Sequence, residues 1–148
     1  MADRRYVVAA GLGLALLVAL APARRTGVPG PSPLAGAGCS PFFFSASYQN
    51  DQNHETMGAY AQSRGFKKVV LMTPNYQAGK DALTGFKRLF KGEIAGEVYT
   101  RLDQTDFAPE MAQIRSANPD VVFQFHPGGL GIAFLRQYQQ AGLLGKIP

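Results

Sequence analysis

From Pro41 to Gly142, short unbroken apolar runs alternate with stretches in which apolar residues recur every three or four positions. The runs 41–47 (PFFFSAS), 68–73 (KVVLMT), 94–102 (IAGEVYTRL) and 120–125 (DVVFQF) predict strands, the first of them buried. Between them, 51–64 carries Met57, Tyr60 and Ala61 at helical spacing and ends at Gly65. A second helix, about 78–91, puts Leu83, Phe86 and Phe90 on one face and stops at Gly92. A third, about 107–117, gathers Phe107, Met111 and Ile114, with Asp106 as a cap and Pro109 tolerated in the first turn. A fourth, about 130–141, uses Leu130, Phe134, Gln137 and Ala141 and ends at Gly142.

Strands that alternate with helices through short connections imply right-handed crossovers and a parallel sheet. The expected class is α/β, three layers around a mostly parallel, doubly wound sheet. With 68–73 as the first strand of such a unit, the order 2-1-3 places 94–102 on one side of it and 120–125 on the other. Ligands bind in the crevice where the strand order reverses, here between 73–78 and 126–129.

The amino terminus follows a different pattern. Arg4 and Arg5 precede an uncharged stretch, 6–20, and Ala21-Pro22-Ala23 follows it. A basic end, a short apolar stretch and small residues are the grammar of a signal peptide. The apolar stretch, about 15 to 18 residues, falls short of the roughly 20 that span a bilayer. Export with cleavage is expected, although Arg24 and Arg25 after the cut resemble the flank of an anchor. The alternative is an unrelated leader joined near residue 28. Residues 27–38, rich in Gly and Pro, predict a linker.

The formal charge of +5 raises nucleic-acid binding. Four of the arginines flank the amino-terminal apolar stretch, while elsewhere Lys and Arg are interspersed with Asp and Glu, which indicates solvated helix faces. Cys39 stands alone, so neither an internal disulfide framework nor a cysteine-based zinc site is expected. Ala78-Gly79-Lys80-Asp81 fails as a phosphate loop, because Pro74 stands where the first Gly belongs, and Ser or Thr is replaced by Asp81, a carboxylate that would repel phosphate. Pro127-Gly128-Gly129 follows a strand and opens a helix, where backbone N–H groups can face an anion. His54 is expected to be a solvated helix residue, and His126 lies at the mouth of the crevice as a ligand contact or a plain strand-end residue. Tyr48 and Tyr76 each follow a strand, where an aromatic face and a hydroxyl can orient a small organic ligand or pack under a loop. No nucleophile has a base beside it, so no catalysis and no cofactor are expected.

The stretches GPSPLAG (30–36), CSPFFFSASYQNDQNHE (39–55), NYQAGKDALTGFKRLF (75–90), TDFAPEMAQIRSANPDVVF (105–123) and PGGLG, in this order and spacing, resemble the branched-chain amino acid type of periplasmic binding proteins. These are the leucine/isoleucine/valine-binding receptors of ABC transporters. The resemblance implies two α/β lobes that close on a solute by a hinge, a permease as partner and a periplasmic location. It implies a small carboxylate ligand: a branched-chain amino acid or a related amide or aromatic acid. By the same resemblance, Pro31 and Ser32 belong to a first-lobe loop that holds the ligand, and Tyr48 ends a first-lobe strand in the cleft. Tyr76, or alternatively Ala78, marks a second-lobe contact, and His126, Pro127 and Gly128 a later strand end. The implied division is a leader at 1–28, a linker at 29–40, the remnant of lobe one with its crossover at 41–65, and the first part of lobe two at 66–148. A piece of a longer receptor is thus the expectation. Alternatives are an anchored sensory ligand-binding domain and a flavodoxin-like enzyme domain.

Overall fold

The computed structural model of the chain describes residues 24–26 and 30–148. The signal-like stretch at 4–23 lies outside the described residues. In chain order the elements are β1 (Arg24–Thr26), a short 3-10 turn (Ser32–Ala35), β2 (Phe43–Ser45), α1 (Gln52–Ser63), β3 (Lys68–Pro74), α2 (Gln77–Leu89), β4 (Glu93–Thr100), α3 (Ala108–Ala117), β5 (Val121–Gln124) and α4 (Gly129–Gln140).

The main sheet has the order β4-β3-β5 with both pairings parallel, as the sequence predicts. β3 occupies the centre because it is apolar on both faces: Val69, Leu71 and Met72 are 0% exposed and Val70 2%. Val69 and Leu71 face α1 and α2, packing with Ala61, Leu83, Phe86 and Phe90. Val70 and Met72 face α3 and α4, packing with Phe107, Met111, Ile114, Phe134 and Tyr138. Three layers result, with a separate apolar core on each side of the sheet.

Three local expectations are corrected. The aromatic run 41–47 was expected to be a buried strand, yet only Phe43–Ser45 is extended and Phe44 is 56% exposed. Among the described residues its sheet partner is the three-residue β1, and a two-stranded ribbon offers no second layer to bury such a run. This pairing also reaches back into the segment assigned to a leader, at Arg24–Thr26.

In α1, Met57 and Tyr60 were expected inward but are 45% and 54% exposed, while Gly58 and Ala61 are buried. The cause is the closeness of the α1–α2 crossing. A Cβ on Gly58 would lie 2.1 Å from the Phe86 carbonyl oxygen, and one on Gly85 would lie 2.2 Å from that of Asp51. Small residues, not large ones, set this contact face.

In α4 the buried stripe runs through Gly131, Phe134 and Tyr138. Gln137, expected to share it, turns toward the start of α3. There its Oε1 accepts from Phe107 N at 2.6 Å and its Nε2 donates to Thr105 O at 2.8 Å. Asp106 serves that same end, accepting from Ala108 N at 2.9 Å.

Candidate functional site

The carboxyl ends of β3 and β5 lie side by side. Phe125 N donates to Met72 O at 2.9 Å, and the chain leaves β3 through Asn75, whose N–H donates to Thr100 O at 2.9 Å. Tyr76 follows at the N-cap of α2 in extended conformation. Its ring stacks parallel to Phe125, with centroids 6.5 Å apart and planes 8° apart. From α1, His54 meets Phe125 edge-on at 4.7 Å and Phe123 at 5.7 Å. Next to them Tyr48, Asn50, Asn53, His54 and Phe125 line a cavity of about 120 Å³. Small-molecule sites enclose roughly 300–1,000 Å³, so this hollow, walled by aromatic rings and amides, is smaller than a whole site.

The loop that begins at Gly30 converges on the same place. Gly30 N donates to Tyr48 O at 3.1 Å and Asn50 N donates to Gly30 O at 3.0 Å, so Pro31 and Ser32 are carried alongside 48–50. Ser32 N donates to Asp81 Oδ2 at 3.1 Å. Ser32 Oγ is buried with no partner among the described residues. A buried hydroxyl without a partner is costly.

Of the sequence-predicted residues, Tyr48 alone lines the cavity; Tyr76 stacks on its Phe125, and Pro31 and Ser32 lie next to it through the Gly30 and Asp81 hydrogen bonds. His126 goes elsewhere. It is 8% exposed and packs on Phe107 at 5.5 Å and Phe134 at 5.2 Å, in the α3–α4 core. Gln124 Oε1 accepts from both His126 N, at 3.1 Å, and Nδ1, at 2.9 Å, so Nδ1 carries the proton. Nε2 then accepts from the Thr100 hydroxyl at 3.0 Å. Burial lowers its pKa to about 4, leaving the ring neutral. Side chains alternate along an extended chain, and Phe125, packed with the α1–α2 core, takes the cavity side. Pro127 and Gly128 are exposed at the start of α4 and outside the cavity lining.

His54 is not the solvated residue that was expected. It is half-buried, and desolvation lowers its pKa, with the charge of Asp51 opposing. Its imidazole is thus neutral at pH 7, and burial raises the Tyr76 hydroxyl. The wall is aromatic and offers neutral hydrogen-bonding groups. Asn50, Asn53 and Phe125 were not singled out from the sequence, and His54 was assigned to solvent. Spacing held a signal: 50, 53 and 54 lie three and four positions apart at the start of a helix, directly after Tyr48. A larger groove of about 480 Å³, lined by Asp106, Met111, Arg115 and Gln137 among others, lies between α3 and α4 and contains none of the sequence-predicted site residues.

Comparison with known proteins gives a consistent result. Residues 6–148 match the family described as periplasmic binding protein. A Leu/Ile/Val-binding protein homolog of Brucella melitensis is 31% identical over 108 residues, covering 70% of this chain and 28% of that relative. Among solved structures, an ABC transporter solute-binding protein from R. palustris in complex with benzoate superposes with a TM-score of 0.74 at 33% identity, covering 80% of this chain and 33% of that one. Another, from Rhodopseudomonas palustris BisB5 with 3,4-dihydroxybenzoic acid, gives 0.64 at 37% identity, over 70% and 30% of the two chains. The chain thus spans about a third or less of the length of these proteins.

Proposed function

The chain belongs to the periplasmic binding protein family, and we propose that it carries one wall of the cleft of an ABC transporter solute-binding component that captures a small aromatic carboxylate. The observation that carries this reading is the aromatic wall at the strand ends, where Tyr76 stacks on Phe125 beside the cavity lined by Tyr48, Asn50, Asn53 and His54. A planar ring of the benzoate type suits such faces, since offset or edge contacts between rings each add about 0.5–1.5 kcal/mol beyond the area they bury. The Ser32 hydroxyl, buried without a partner among the described residues, and the asparagine amides are donors for its carboxylate.

In this reading residues 41–65 end a first lobe and cross over, and 66–148 begin the second. The role is non-catalytic, the location is the periplasm, and the partner is a membrane permease that receives the solute. The ligands named for the R. palustris proteins favour aromatic acids, whereas the Brucella relative's name favours branched-chain amino acids. Support for an aromatic acid comes from the wall, which offers rings and neutral hydrogen-bonding groups.

A thermal-shift series with benzoate, 4-hydroxybenzoate, leucine and isoleucine tests it. Ligand at 100 times its dissociation constant adds about 2.7 kcal/mol to stability. Stabilisation by the benzoates and not by leucine is the expected pattern. Stabilisation by leucine alone would replace the aromatic reading with the amino acid one.

A further inference from the structure

We infer that Asp81 is the positioning residue of the cleft wall, holding the Ser32 loop and Asn50 against the first turns of α2. The carboxylate is 5% exposed and accepts three hydrogen bonds. Oδ2 takes the Ser32 backbone N–H at 3.1 Å and the Asn50 side-chain amide at 3.0 Å, and Oδ1 takes Gln77 Nε2 at 2.8 Å. Two of these donors lie 49 and 31 positions earlier in the chain. The third is one helical turn away on α2 itself. One side chain thus joins the loop that carries Ser32, the residue that brings an amide into the cavity, and the helix that follows Tyr76.

The chemistry suits that task. A buried carboxylate is costly unless N–H donors satisfy it, and once satisfied it accepts short, charge-assisted bonds on both oxygens. Among the described residues none of the ion pairs involves Asp81. Its hold is therefore directional, made by amide donors. Asn at this position would keep the arrangement: its carbonyl accepts from Ser32 and Asn50, and its amide donates to Gln77 after that side chain turns over. Ala removes all three bonds at once.

The consequence for ligand capture rests on the proposed function; the positioning itself does not. The test is amide hydrogen exchange on the full chain without ligand, comparing Asp81→Ala and Asp81→Asn with wild type. Exchange at Ser32 is read against Val70 in β3, whose amide reports global opening. The expected result is that Ser32 exchange in Asp81→Ala rises about ten- to hundredfold relative to Val70, the loss of a hydrogen bond to a charged group, and that Asp81→Asn recovers most of the protection. Unchanged relative exchange in Asp81→Ala, or equally fast exchange in Asp81→Asn, would overturn the assignment. Should wild type bind neither benzoate nor leucine while the exchange pattern holds, the ligand reading fails and the role of Asp81 stands.

Discussion

Acidification should destabilise this protein through His126. The ring is buried between Phe107 and Phe134 with both nitrogens engaged by Gln124 and Thr100, and its pKa falls from 6.5 to about 4. The unfolded chain binds its proton near pH 6.5, whereas the folded chain resists until about pH 4. Stability from this group is therefore complete above pH 6.5 and lost as the pH falls toward 4. The total is about 3 kcal/mol, because each tenfold weakening of proton binding on folding is worth about 1.4 kcal/mol. Of this, about 2 kcal/mol should vanish between pH 7.5 and pH 5. His54 is shifted in the same direction, so the contribution is isolated by comparison with His126→Phe. That variant keeps the aromatic packing and loses the hydrogen bonds to Thr100 and Gln124. Urea unfolding at pH 7.5, 6.5, 5.5 and 5 should give a steep profile for wild type and a flatter, lower one for the variant. Parallel profiles, or a His126 ring resonance that titrates near pH 6.5, would refute this account of the site.

Gly58→Ala should destabilise the protein by about 1–3 kcal/mol in urea denaturation, because overpacking against the Phe86 carbonyl outweighs the roughly 1 kcal/mol of helix propensity that Ala gains. Arg88→Ala removes the guanidinium that lies 2.6 Å from the buried Asp51 carboxylate. Since Arg88 is itself about half exposed, a loss of about 2 kcal/mol is expected, below the 3–5 kcal/mol of a fully buried pair, and Arg88→Lys should restore part of it. Tyr138→Phe deletes the hydroxyl that donates to Ile147 O at 2.9 Å and should cost about 1 kcal/mol by thermal unfolding, with the ring packing against Phe134 retained.

The sheet was legible in the sequence because β3 is an unbroken apolar run, and such a run must lie at the centre of a parallel sheet with a helix layer on either side. Its two neighbours followed from the short connections. Faces were harder to read. Large apolar residues mark a buried stripe only when the neighbouring element leaves room for them, and at the α1–α2 crossing Gly58 and Gly85 remove that room, turning Met57 and Tyr60 outward. The same limit applies at the end of β5. The sequence marked His126 and passed over Phe125, but alternation along the extended chain gives the cavity to Phe125 and the opposite core to His126. Asp81 was read only as a residue that spoils a phosphate loop; its partners Ser32 and Asn50 lie too far away in sequence for spacing to connect them.

The most direct test of the proposed cleft is a nuclear magnetic resonance titration of isotope-labelled full chain with benzoate and, separately, leucine. Saturable shifts centred on Tyr48, Asn50, His54, Tyr76 and Phe125, produced by benzoate and not by leucine, are the result expected of an aromatic wall at the ends of β3 and β5. Shifts centred instead on Arg115 and Gln137 in the α3–α4 groove, or no saturable shift at those five residues, would contradict it.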